Sequence, residues 1–599
     1  MQGIISFKCL KVTLAQKACI PVGFTRLLFG AMWGLFLSTG NLDGRGLNPG
    51  GTFSESRKHQ DPWSVVSYAI ALELDTLGLV EAPIGGTHSG QRVLPLRGRV
   101  GMVWAKGGAS AKAARGGGER DLEVHLEGAW TVNALRWEGM ELPFEHRDGV
   151  IRFRMPVVQD TLGVYRMEVD YSGYLMPAVK PPWQDGVVVS RDSLGLPWLG
   201  MTCQGSGARS WWPCLDQPAL EPDSVEFSMT FPNLPGLDLI SNGQRIADVR
   251  TGNRRRVTWK SSQSLNLYNV TFYLGRYERL IQTYVDLRGK ERDLVFWVLP
   301  QDKNKARTHL AQAVDMMACF EDKLGPYPWW SDGYQVVQAP YLGMEHQSAI
   351  AYGNGFRNNE WGFDFILVHE SGHEWWGNSV TATDPAYWWI HEGLTTLMEP
   401  LFLECRDGHR RESDAYMAKM RRKILSKSPI EGKPGVRHRA PDADMYYKGA
   451  WMFYSLRNSV NKDSLWYAAL GSAYQKFAMR TITSEQMVNH WAQVLGPRYG
   501  GTLRWWLRHA QLPVLEWEPV VKEDASGLRL RYRWSSAAKN FYLPMQTASG
   551  LLLDPVPGRW QELNVPGKTD PKNLEAELQE LEADINQLTQ RYLLKIQRN

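Results

Sequence analysis

Five residues, His369-Glu370-Ser371-Gly372-His373, constrain this chain more than any other stretch. On an α-helix, positions four apart lie on one face, about 6 Å apart along the axis, so both imidazoles can point at one ion. The apolar run Phe365-Ile366-Leu367-Val368 leads into the motif and places its helix in the interior. Two histidines and a glutamate on one side of a buried helix are costly unless they bind something. Their spacing suits a tetrahedral metal with metal–nitrogen bonds of about 2.0–2.1 Å. The fold must then bring a third ligand to the same point. Glu392, nineteen positions after His373, lies in a second helical segment reached through the turn at Asp384-Pro385. It completes a His-His-Glu set for one Zn2+ per chain and leaves one position open to water. Glu370 stands beside the metal as a carboxylate able to take a proton from attacking water. Glu399, seven positions after Glu392 on the same helix face, is placed to accept the second N–H of a histidine ligand.

The rest of the chain is an ordinary globular sequence, with 43% hydrophobic and 22% charged residues in 599, which excludes global disorder. Lys+Arg 68 against Asp+Glu 63 leaves a net charge of only +5, which argues against nucleic acid as a partner. Six cysteines exclude a disulfide-built scaffold. Cys203 and Cys214 either bridge, in an oxidising compartment, or stay as two buried thiols. The 26 Trp suit a large core or an aromatic-lined cleft.

Period-two alternation runs through residues 60–276, as in Leu122/Val124/Leu126, Ile151/Phe153/Met155 and Val225/Phe227/Met229/Phe231, and indicates a large antiparallel β domain. Residues 106–118, rich in Gly, Ala and Lys, read as a surface loop. Helical spacing dominates residues 277–511, and alternation returns over 512–569 with Leu528, Leu530, Tyr532 and Trp534. From 570 to 599, Leu574, Leu578, Leu581, Ile585, Leu588 and Tyr592 follow 4-3-4-3-4 spacing. This predicts an amphipathic helix packed on its own chain, with pairing in a dimer as the alternative. Residues 1–40 combine Lys8, Lys11, Lys17 and Arg26 with a short apolar run from Leu27 to Leu37, then Ser38-Thr39-Gly40, which is a signal-peptide pattern. The run is too short to span a bilayer. Export to a periplasm or the exterior follows, with no stable membrane span after removal of the segment; an uncleaved anchor is the alternative. The expected fold class is thus multidomain α+β.

With these motifs in place, the sequence resembles the gluzincin aminopeptidases, the family of aminopeptidase N and leukotriene A hydrolase, and most closely their shorter bacterial members. The H-E-x-x-H, eighteen residues, E spacing is theirs. Leu342-Gly343-Met344-Glu345-His346 is similar to their G-x-M-E-N signature, with Leu342 and His346 as departures. Tyr446-Tyr447-Lys448-Gly449 is similar to their Y-x-K-G. Gln204 and Trp212-Pro213-Cys214-Leu215-Asp216-Gln217-Pro218 resemble their N-terminal-domain signature around F-P-C-x-D-E-P. His391 stands where an Asn commonly precedes the third ligand.

The resemblance implies a thermolysin-like α-rich catalytic domain between the β domain and a small C-terminal β domain. It implies Glu370 and Tyr446 as catalytic groups, and Glu345, Gln204, Gly343 and Met344 as substrate-binding residues. The implied substrates are peptides with a free N-terminus. A thermolysin-like endopeptidase is the alternative within enzymes, and a non-catalytic peptide-binding protein the alternative outside them.

Overall fold

The computed structural model describes residues 63–83, 88–106, 120–156, 163–182, 185–435, 443–521, 527–566 and 573–599. The signal-like segment and nearly all of the 106–118 loop lie outside the described residues.

The N-terminal region is a nine-stranded sheet with two smaller sheets beside it. Its middle strand, Trp63–Glu73, pairs antiparallel with Arg92–Lys106 on one side and parallel with Ser224–Pro232 on the other. The expected sheet is therefore mixed at this one pairing rather than wholly antiparallel. Val225, Phe227, Met229 and Phe231 are all buried, so the alternation marks a sheet with one face on a core. A four-stranded sheet, Gly186–Arg191, Pro197–Thr202, Phe272–Gly275 and Asp238–Ser241, carries Gln204 just past its second strand. Tyr268 sits in a short 3-10 turn, Leu267–Asn269, before its last strand in the chain. Cys203 and Cys214 are buried thiols, not a bridge. The disulfide joins Cys319 to Cys405 instead.

The next region opens with five strands: Glu278–Val285, Glu291–Val298, Tyr334–Gln338, Ile350–Tyr352 and the short edge strand Gly343–Met344, which runs antiparallel to Ile350–Tyr352. Among the helices of the described residues, three matter for the site: α1, Phe365–Gly372; α2, Trp389–Asp407; and α3, Asp444–Val460. Asp364 starts α1 by accepting from the Ile366 and Leu367 amides at 3.1 and 3.3 Å. Its carboxylate also accepts from Tyr352 Oη at 2.5 Å, Asn354 Nδ2 at 2.8 Å and His309 Nε2 at 2.7 Å. The start of the motif helix is thus tied to the sheet and to the preceding helical segment. Trp329, Trp375, Trp376, Trp389, Trp451 and Trp466 are fully buried around these helices, so much of the tryptophan content is core.

A four-stranded sheet closes the chain: Gln561–Asn564, Leu528–Trp534, Val514–Val521 and Lys595–Arg598. The last of these corrects the reading of 570–599 as one helix. The helix covers only Leu574–Gln587, and the chain then returns to pair in parallel with Val514–Val521. Leu581, Ile585, Leu588 and Tyr592 are buried against the same chain, so the apolar stripe is used internally.

Candidate metal centre and substrate site

His369 lies in the last turn of α1 and His373 caps its C-terminus, while Glu392 occupies the first turn of α2. The His369 and His373 Nε2 atoms are 3.2 Å apart, and Glu392 Oε2 is 3.5 and 3.3 Å from them. His369 Nδ1 is 2.8 Å from Glu399 Oε1, and His373 Nδ1 is 2.9 Å from the Trp376 carbonyl. Neither oxygen can donate to these nitrogens when Glu399 is ionised, so both Nδ1 atoms carry the hydrogen and both Nε2 atoms present lone pairs. Three acceptors then face one another, and Glu392 Oε2 has no hydrogen-bond partner among the described residues. A metal cation held between them satisfies all three. Ligands at about 2.0–2.1 Å in a tetrahedron lie roughly 3.3–3.4 Å apart, which matches the separations found. The N2O donor set and the carboxylate behind His369 suit one Zn2+.

Glu370 turns toward the edge strand. A Cβ added at Gly343 would sit 2.5 Å from Glu370 Oε1, so the glycine is there to let the strand pass beside this carboxylate. Burial raises the Glu370 carboxyl and the two histidines oppose it, and the balance leaves it at about 8. It is a buried carboxyl that can hold or release a proton near neutrality. Met344, next to Gly343, is buried in the core shared with the N-terminal sheets.

Tyr446 reaches the cluster from α3. Its ring lies 6.0 Å from that of His369 at an interplanar angle of 30°. Burial, then the charges of Glu392, Glu345 and Glu370, hold its phenol well above the ordinary value, so it stays a donor. The position is set by a glycine pair: a Cβ on Gly449 would lie 2.8 Å from the Gly393 Cα, and one on Gly393 3.0 Å from the Gly449 Cα. Helices α2 and α3 therefore cross backbone to backbone, at the residue after Glu392 and three residues after Tyr446. Lys448 takes no part in the cluster; its Nζ donates to the His509 and Ala510 carbonyls at 2.6 and 3.3 Å and anchors α3.

Glu345 is the second buried carboxylate facing the cluster. One of its oxygens, with one from Glu370 and a nitrogen of His373, forms a group whose atoms lie within 4.8 Å of one another. Its Oε1 accepts from Gln204 Nε2 at 2.6 Å and Tyr268 Oη at 3.0 Å, and its backbone carbonyl from Asn378 Nδ2 at 2.9 Å. Gln204 and Tyr268 also line a small pocket of about 30 Å3 with Asp216, Gln217 and Trp388. Sequence reasoning found Gln204 and Glu345 through their motifs but missed Tyr268 and Asn378, which belong to no motif.

Of the departures from the family pattern, His346 and His391 are structural histidines. Tyr273 Oη donates to the Ala349 carbonyl at 2.8 Å and so receives from His346 Nδ1 at 2.6 Å. His391 Nε2 accepts from the Ala382 amide at 2.8 Å and fixes the strand Val380–Ala382 beside α2. Burial pushes both imidazoles down to about 3, so both are neutral.

A mixed sheet with a short edge strand beside the cluster, a helix carrying two histidines, and a second helix carrying a glutamate together form a His-His-Glu metal centre. Comparison with known proteins agrees. Residues 312–506 match the peptidase family M1 domain. Tricorn protease-interacting factor F2 of Thermoplasma volcanium is 24% identical over 212 residues, 33% of this chain and 25% of the relative. Endoplasmic reticulum aminopeptidase 1 of Mus musculus is 23% identical over 308 residues, 47% of this chain and 32% of the relative. The chain thus spans only a quarter to a third of the length of these curated relatives. In fold it is similar to an M1 zinc metallopeptidase variant from Deinococcus radiodurans solved with a Tyr-Ser-Ala substrate: TM-score 0.60, 20% identity, 76% of this chain and 96% of that one. Residues 312–506 thus resemble the M1 peptidase domain, and the fold as a whole resembles that of an M1 zinc metallopeptidase.

Proposed function

We propose that the chain is a zinc-dependent aminopeptidase that removes N-terminal residues from peptides. The observation that carries this reading is Glu345: a buried carboxylate, braced by Gln204 and Tyr268, next to Glu370 and His373. A carboxylate in that place can hold a substrate α-ammonium and put the first peptide bond against the metal cluster. The peptide bound to the Deinococcus radiodurans relative is in keeping with such a substrate.

Zinc, when bound by His369, His373 and Glu392, supplies Lewis-acid polarisation of the scissile carbonyl. Glu370 takes a proton from the attacking water and passes it to the leaving amine. Tyr446 donates to the oxygen on which charge develops, a role worth around 3–4 kcal/mol in comparable donors. Gln204 and Tyr268 keep the Glu345 carboxylate aimed at the ammonium, and Gly343 leaves the room in which Glu370 works.

We also propose that the protein is exported. Residues 1–40 carry the signal-like pattern, and the Cys319–Cys405 disulfide suits an oxidising compartment. Among the described residues no helix is long and apolar enough to cross a membrane. In this reading the β domain covers 60–276, the catalytic domain 277–511 and the small β domain 512–569. The deciding experiment is a panel of aminoacyl chromogenic substrates, each assayed with and without chelator and beside its N-acetylated form. Hydrolysis that needs both the metal and the free amine supports the proposal; equal cleavage of blocked substrates rejects it for an endopeptidase.

A further inference from the structure

Glu399 has both carboxylate oxygens engaged. Oε1 accepts from His369 Nδ1 at 2.8 Å, and Oε2 accepts from the Tyr416 hydroxyl. Glu399 and Tyr416 are both buried, so neither hydrogen bond competes with bulk water. Tyr416 stands on a third element, the helix Arg411–Arg421. Its ring is held edge-on by Trp361, 4.6 Å away at 78°, and touched at a tilt by Phe363, 5.8 Å away at 53°. Trp361 and Phe363 immediately precede Asp364, the residue that starts α1. The contacts therefore close a ring: the lead-in to α1 holds the phenol, the phenol holds Glu399, and Glu399 holds His369 on α1.

We propose that Tyr416 is a positioning residue for the zinc site, which locks the Glu399 carboxylate and through it the ring plane of His369. A carboxylate held by one donor alone can turn about its last bond, and the imidazole it orients turns with it. Held by two donors from different helices, it cannot. Removing the hydroxyl also leaves a carboxylate oxygen buried without a donor, which favours a new orientation for Glu399. Loss of such outer partners typically weakens metal binding about 10–100-fold. The proposal rests on the zinc reading of the cluster and is independent of peptide turnover.

The test measures zinc affinity of the full chain by competition with a chromophoric chelator. Tyr416→Phe keeps the ring packing and removes only the hydroxyl. It is expected to bind zinc about tenfold or more weakly, with the melting temperature of the metal-stripped protein little changed. Trp361→Phe, which keeps an aromatic partner for the ring and leaves the hydroxyl in place, is expected to lose clearly less zinc affinity than Tyr416→Phe. Glu399→Gln should weaken zinc at least as much as Tyr416→Phe, and the double variant no more than Glu399→Gln alone, because the tyrosine acts through the glutamate. Wild-type affinity in Tyr416→Phe overturns the proposal, as does an equal loss in Trp361→Phe or a multiplicative loss in the double variant. A wild type that binds zinc but leaves free-amine peptides intact defeats the aminopeptidase reading alone.

Discussion

The metal end of the cleft and the Glu345 end are assembled in different ways. His369, His373 and Glu392 come from two consecutive helices, α1 and α2, within 24 positions of sequence. Glu345 is held by side chains 141 and 77 positions upstream, which belong to the N-terminal β region. One end is a property of a single helical layer; the other exists only while two layers stay docked. Substitutions at the first should therefore act on metal and chemistry together. Those at the second should spare the metal and act on where the substrate lies.

The strongest way to break this contrast is at the ligands. Alanine at His369, His373 or Glu392 is expected to abolish zinc binding and activity together, read by elemental analysis and assay. Stoichiometric zinc in all three variants would end the assignment. Next, Glu370→Gln should keep its zinc and lose about 10²–10⁴-fold in kcat, since an amide cannot accept the proton; a rate within a few-fold of wild type means another base operates. On the other side, Glu345→Ala should keep its zinc and lose about 10²-fold in kcat/KM, with KM raised and kcat lowered by misplacement of the scissile bond. Acetylating the substrate amine should cost wild type a similar factor, and the two losses should not add. Tyr268→Phe or Gln204→Ala should reproduce a weaker version, about tenfold, consistent with one lost bond to a charged group. Zinc loss in these variants would erase the distinction between the two ends. The smallest effect is expected from Gly449→Ala, which intrudes on the Gly393 backbone. Overpacking of this kind costs about 1–3 kcal/mol, measurable as a lower denaturation midpoint.

The same contrast explains what could be read from sequence. His369, Glu370, His373 and Glu392 were legible because helix geometry fixes their spacing, and a buried helix has few other uses for them. Strands such as Ser224–Pro232 and Leu528–Trp534 were legible because one face is wet and the other dry. Tyr334–Gln338 shows no alternation because all five residues are buried within its sheet. Lys595–Arg598 is too short to announce itself next to a clear heptad pattern. Tyr268 and Tyr416 are single tyrosines whose value depends on a partner far along the chain. Cys319 and Cys405, 86 positions apart, give no local sign that they meet.

The glycine crossing of α2 and α3 has a mechanical consequence. Most helix pairs touch through side chains, which act as springs: a rotamer shifts, a methyl turns, and the gap changes by a few tenths of an ångström at little cost. Where Gly393 meets Gly449 there is no spring. The spacing is set by the hard radii of backbone atoms, so the crossing works as a gauge block between the helix that carries Glu392 and the helix that carries Tyr446. Heat, ligands or distant substitutions can loosen the surrounding side chains without altering the closest approach that this stop permits.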